Sequence, residues 1–323
     1  MKRLAAAALS LGLALVATPS RADTPPSTWD SAKDPEARAR WDLHVRAREQ
    51  MDQESGRRGQ VVARELALGR ARAMLEVGKA AESPDVRLRF DLGEVYEQLE
   101  RHDLAVSVLD KALELAPDHP AAAAAWVTLA YAGAKLDRPD TERRAYLRYL
   151  ELVTDERPRS TALLNLAEAE MRLGHLGTAV AGYQDSLRAS ATLGIFGQET
   201  YTLSLWGLAV ALDRSGDPVS ARAEARRALS HDPGMQLIGF GPNVFFVPAY
   251  ERLWYLGLGH MAAGESATDP RQARDEWSAA VRTWEDYVKR ADAKERWLPL
   301  ARAHLARARE RKKAADARAA RAP

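Results

Sequence analysis

One spacing pattern, repeated along the chain, limits the folds open to it. In residues 86–119, Leu92, Gly93, Tyr96, Ala105, Leu109, Ala112 and Pro117 stand at positions 7, 8, 11, 20, 24, 27 and 32 of a 34-residue unit. Apolar residues recur three and four apart in each half, so each half reads as a helix with one buried face. Gly93 and Ala105 are small enough to let two antiparallel helices approach, and the larger groups fill the space beside that contact. Pro117 stops the second helix.

The pattern returns four times. Residues 202–235 place Leu205, Leu208, Ala209, Ala221, Ala228 and Pro233 at positions 4, 7, 8, 20, 27 and 32, with Arg214-Ser215-Gly216-Asp217-Pro218 as the turn. Residues 160–193 place Leu163, Leu166, Ala167, Ala179 and Tyr183 at positions 4, 7, 8, 20 and 24. Residues 123–156 keep Trp126, Leu129, Ala130 and Tyr146, but Glu142 stands where a small residue belongs. A fifth unit starts near Tyr250 with Leu256 and Gly257, its Ala273, Trp277 and Ala280 displaced by about four residues.

This recurrence resembles the tetratricopeptide repeat family. The resemblance implies an all-α chain, a right-handed superhelical solenoid of antiparallel helix pairs with a C-terminal capping helix. It also implies a concave face lined by the first helix of each unit. Carried onto this sequence, that face holds Phe90, Glu94, Tyr131, Lys135, Asn165, Glu168, Arg172, Trp206, Arg214, Trp254 and Tyr255. Aromatics beside arginines suit a peptide-binding surface. Trp206 and Trp254 share position five of consecutive units and are expected to share a groove with Arg172, Arg214 and Tyr255. The Lys/Asn set with which some family members clamp a C-terminal carboxylate is not reproduced.

The flanks read differently. Lys2 and Arg3 precede an apolar run, Leu4 to Val16, and Ser20 and Ala22 are small residues suited to cleavage. That is the layout of a secretory signal peptide over residues 1–22, and its 13 apolar residues fall short of the roughly 20 that span a bilayer. With no cysteine after the run, the chain is not expected to be a lipoprotein, and cleavage near Ala22 would leave a periplasmic or otherwise extracytoplasmic protein. Residues 23–33 read as a flexible spacer and 34–85 as an N-terminal helix pair, a diverged repeat or a cap. Residues 86–290 are the repeats, interrupted by the apolar, glycine- and proline-rich insertion 234–248, read as a buried plug or a binding lip. Residues 291–323 are a capping helix and a basic tail trailing into disorder; nine Lys/Arg against two Asp/Glu from Arg296 onward give a local +7.

Catalytic signatures are missing from the sequence. The absence of cysteine excludes a disulfide framework, Cys-ligated zinc and a thiol nucleophile. None of the seven histidines lie three or four apart, and no phosphate-binding loop, dinucleotide fingerprint or serine elbow is present. Lys+Arg 47 against Asp+Glu 45 leaves a formal charge of +2, without the basic excess of a nucleic-acid binder. The expectation is a non-enzyme with no cofactor and no metal, a scaffold or adaptor of the bacterial cell envelope with a protein or peptide in its groove. Two alternatives are a recruiter or regulator of a peptidoglycan-active or outer-membrane assembly complex, and a surface protein held by a weak anionic contact of its basic tail.

Overall fold

The computed structural model describes residues 24–52, 61–241 and 244–321, so the expected signal peptide lies outside the described residues. Described residues are helical or in turns, with no strand among them. The chain divides at Val153/Thr154, inside the run of repeats, into two compact units.

The first unit holds α1 (Thr28–Lys33), α2 (Ala37–Asp52), α3 (Val61–Val77), α4 (Val86–Gln98), α5 (His102–Leu115), α6 (Ala122–Lys135) and α7 (Pro139–Leu152). Here α2 packs on α3, α4 on α5 and α6 on α7. The spacer expected at 23–33 is thus partly ordered: Ser27 and Asp30 form a reciprocal capping box at the start of α1. The second unit holds α8 (Glu156–Leu173), α9 (Leu176–Ala191), α10 (Gln198–Arg214), α11 (Pro218–His231), the short α12 (Gln236–Phe240), α13 (Arg252–Ser266), α14 (Pro270–Arg290) and α15 (Leu298–Ala319). Its hairpins are α8/α9, α10/α11 and α13/α14, and α15 lies along α14.

The same turn joins four of the hairpins. Glu100, Asp137, Gly174 and Gly216 adopt positive φ of 57°, 55°, 85° and 89°. In each case the next residue's amide reaches back past the helix end: Arg101 to the Tyr96 carbonyl, Arg138 to Gly133, His175 to Glu170 and Asp217 to Leu212. These bonds satisfy last-turn carbonyls that would otherwise lack partners. All four left-handed residues fall at position 15 of the units starting at 86, 123, 160 and 202. The fifth hairpin departs, since α13 runs through to Ser266 with no such residue.

Close approach between helices is achieved, but with different partners from those the spacing suggests. A Cβ on Gly93 would stand 2.4 Å from Cγ and Cδ2 of Leu109, so the nearest side chain that Gly93 accommodates is Leu109, one turn beyond Ala105 on α5. In the 123–156 unit Glu142 is buried, and the missing small residue is replaced on the opposite helix: a Cβ on Gly133 would stand 3.1 Å from the Glu142 amide nitrogen. In the last hairpin, Gly257 faces Trp284, and Trp277 faces Gly264 instead. The displacement of the second helix is therefore larger than the sequence reading allowed, because α13 is more than a turn longer past Gly257 than α4 is past Gly93.

The insertion is split in character. Met235 and Ile238 are buried in the second unit's core while Phe240 is 81% exposed. Phe246 returns to pack on Tyr255, ring centroids 5.0 Å apart. The basic tail does not trail away: α15 continues through Ala319, with Ala301, His304, Leu305, Ala308 and Ala315 buried.

Candidate functional site

In the first unit, the first helices α4 and α6 bring expected face residues together. Glu94 receives Arg48 Nη1 at 2.8 Å and Gln98 Nε2 at 3.1 Å. One turn on, the Glu97 side-chain carboxyl takes no hydrogen bond from the described residues. Burial, helped by the neighbouring Glu94 carboxylate, pushes its carboxyl up to about 7 against the pull of Lys135 and Arg64. Lys135 lies over the Tyr131 ring, 5.0 Å from its centroid. Burial lowers the Lys135 ammonium below its usual value, and burial together with Glu97 raises the Tyr131 phenol to about 12. Glu94, Glu97, Tyr131 and Lys135 are all half-buried, so this face meets solvent. Phe90 does not belong to it: the ring is 4% exposed and sits edge-on to His119.

Beneath this face lies a group that the sequence reading missed. Asp91 is fully buried, with His44 Nδ1 at 2.5 Å and Arg48 Nε at 2.7 Å. An unpaired carboxylate at this depth would cost several kcal/mol. The pairing therefore ties α2 to α4 and sets Arg48 against Glu94. The only hint in the sequence was an acid beside Leu92 and Gly93, on the packed side of the helix.

The second unit is different, because its own chain fills the corresponding face. Trp206 and Trp254 are both fully buried, so the expectation that they line an open groove is wrong. Each indole is held by a buried carboxylate. Trp206 Nε1 donates to Asp232 Oδ2 at 3.3 Å, and Asp232 also caps the Leu237 amide at 3.0 Å, which ties the insertion down. Trp254 Nε1 donates to Asp213 Oδ2 at 3.0 Å, and His304 Nε2 from α15 meets the same oxygen at 2.8 Å. Trp284 stacks on His304 at 4.7 Å and stands edge-on to Trp254 at 5.1 Å.

Arg214, another expected groove residue, is buried as well. Its guanidinium pairs with Glu251 at 2.6 Å and lies 4.5 Å from the Trp254 ring centroid and 5.3 Å from that of Trp297. Tyr287 donates to Glu251 at 3.0 Å. Arg296 reaches the space a side chain at Gly174 would occupy, and Glu295 accepts from Tyr250 at 3.0 Å. The segment from Glu295 to His304, read as a cap beyond the last repeat, is thus laid over the ends of α8 and α10 within this unit. Tyr255 is buried, and only Asn165, Glu168 and Arg172 keep partial exposure. Burial raises the Glu168 carboxyl to about 7, against the attraction of Arg172. The Asp213–His304 pair is sealed under two indoles, so its chemistry is that of a clamp on α15.

No helix among the described residues is long and apolar enough to cross a membrane. Residues 86–155, which span α4 to α7, match the tetratricopeptide repeat family model. No curated protein matches the chain. Among solved structures, the crystal structure of MamA protein is similar over 62% of this chain and 96% of its own, with 16% identity and a TM-score of 0.44. The P58(IPK) TPR domain is similar over 89% of this chain and 70% of its own, with 16% identity and a TM-score of 0.37.

Proposed function

We propose that this chain, with the tetratricopeptide signature on residues 86–155, is a non-catalytic scaffold of a bacterial cell envelope. In this reading it holds a protein or peptide partner on the α4–α6 face of its first unit. The observation that carries the reading is the contrast between the two units. The face bearing Glu94, Glu97, Tyr131 and Lys135 stays partly exposed, while in the second unit Trp206 is buried with Asp232 and Met235 of the insertion, and Trp254 is buried beside His304. The Glu97 carboxyl is desolvated, so it gains from a partner that brings a hydrogen-bonding group to it. An aromatic ring beside a cation adds contact area with few rotamers to freeze.

The envelope location rests on Lys2, Arg3, the apolar run Leu4 to Val16 and the small residues Ser20 and Ala22. The test is retention of partners from envelope extract on the immobilised mature chain. A partner retained by wild type should be lost with Tyr131→Ala/Lys135→Glu and kept with Lys111→Gln, an exposed site on α5. Equal retention by the Tyr131/Lys135 variant would remove the partner from this face.

A further inference from the structure

The C-terminal helix α15 carries charge in an arrangement that the fold of its own unit does not consume. Its inner side, Ala301, His304, Leu305, Ala308 and Ala315, is buried against the second unit. At 100° per residue, the outer side divides into two edges and a centre. One edge carries Arg302 and Lys313; the other carries Arg311 and Arg318, with Arg321 just past the helix end; all five are exposed. The centre is Ala303, Ala306, Ala314 and Ala317, interrupted only by Glu310.

Other cations of the helix are already paired. Arg307 binds Glu265 at 3.2 Å, Arg309 binds Glu285 at 2.8 Å, and Lys312 binds Asp316 at 2.7 Å. The five remaining cations have no such partner among the described residues, and Glu310 is the one carboxylate set among them. At about 1.5 Å rise per residue, Arg302 and Lys313 stand about 16 Å apart along the axis and Arg311 and Arg318 about 10 Å, so the cations flank the middle and end of the helix.

We propose that this outer side of α15 docks on an anionic lipid bilayer. The alanine centre lets the helix axis lie close to a flat surface, and long cationic side chains on both edges reach down to headgroup phosphates. The helix is already folded and clamped by His304 on Asp213, so docking requires no folding of the backbone. No large apolar residue lies on the outer side, so attachment is peripheral and reversed by salt. The same composition disfavours nucleic acid, since the outer side has no aromatic ring to stack on a base and no amide to read one.

The experiment is co-sedimentation of the mature full chain with vesicles of phosphatidylcholine alone or mixed with phosphatidylglycerol. Binding should require the anionic lipid and weaken as salt rises through the physiological range, where the screening length is about 8 Å. Arg311→Gln/Arg318→Gln should weaken partitioning by roughly fivefold per cation removed. Arg302→Gln/Lys313→Gln should do the same, while Arg101→Gln/Lys111→Gln, at the start of α5 and on it, should leave it unchanged. All these positions are exposed, and an unaltered near-ultraviolet circular dichroism spectrum confirms that each variant is folded. Absence of binding to anionic vesicles, or equal loss with the α5 variant, would overturn the proposal. Displacement by inorganic phosphate at matched phosphate concentration would show a site for single anions instead. Tighter binding to a short DNA duplex than to vesicles would make the surface a nucleic-acid site.

Discussion

Gly257→Ala is the substitution whose outcome the structure determines most sharply. The added Cβ would lie 2.5 Å from Trp284 Cε2, 2.7 Å from Cζ2 and 3.0 Å from Nε1. Trp284 cannot swing away: it is fully buried, its Nε1 lies 3.2 Å from Met261 sulfur, and its ring is stacked on His304. Relief requires α13 and α14 to separate, and overpacking of this kind costs about 1–3 kcal/mol. Replacing a helical glycine with alanine returns about 0.5–1 kcal/mol of backbone entropy. The net expectation is a loss of about 1–2 kcal/mol. Gly69→Ala in α3 is the matched control, since no atom lies within 4 Å of its would-be Cβ, and it should stabilise by about 0.5–1 kcal/mol. Urea unfolding by near-ultraviolet circular dichroism reads the first variant, because five of the eight tryptophans lie in the second unit. Far-ultraviolet signal reads the second. If both variants gain stability equally, the Gly257–Trp284 contact is wrong, and with it the register of the last hairpin.

Three further outcomes follow from particular residues. Glu100 holds φ of 57°, a conformation that costs an L-residue roughly 1–2 kcal/mol, so Glu100→Gly should raise the first unit's urea midpoint. Glu168 is favoured neutral in the folded state, so its contribution is fully present below the unfolded value of 4.5 and is lost as pH rises through about 7. Glu168→Gln should therefore stabilise the second unit at pH 8 by on the order of 2 kcal/mol and match wild type near pH 4, as measured by thermal unfolding at both pH values. For export, N-terminal sequencing of the protein recovered from an expressing bacterium should read from Asp23, and recovery of intact Met1 would defeat the envelope location.

Local rules carried the reading of the fold a long way. Helical periodicity, Pro117, Pro218 and the Leu-Gly and Leu-Ala pairs located four hairpins whose turns fall at one position of the unit. Those features act over a few residues, so one chain read alone contains them. The fifth hairpin was misregistered because two glycines, Gly257 and Gly264, both offered a slot for an indole, and the length of α13 decided which indole took which. The face of the first unit was legible for the same reason as the turns: Glu94 and Tyr131 both stand at position 9 of adjacent repeats, and Lys135 lies one turn beyond Tyr131. The second unit's face was not, because its cover comes from far along the chain. Asp213 and His304 are 91 residues apart, and nothing near either one announces the other. Asp91, paired with His44 and Arg48 from α2, was missed for a similar reason.

The most direct test of the binding account is a photo-crosslinking amino acid placed in turn at Tyr131 on the α6 face and at Lys111 on the outer helix α5, in cells that express the chain. Both sites reach solvent, so both variants should fold. A discrete crosslinked partner is expected from position 131, suppressed when Glu97→Gln and Lys135→Ala are added, with no equivalent product from position 111. A partner captured from position 111 alone, or a position 131 product indifferent to Glu97 and Lys135, would contradict it.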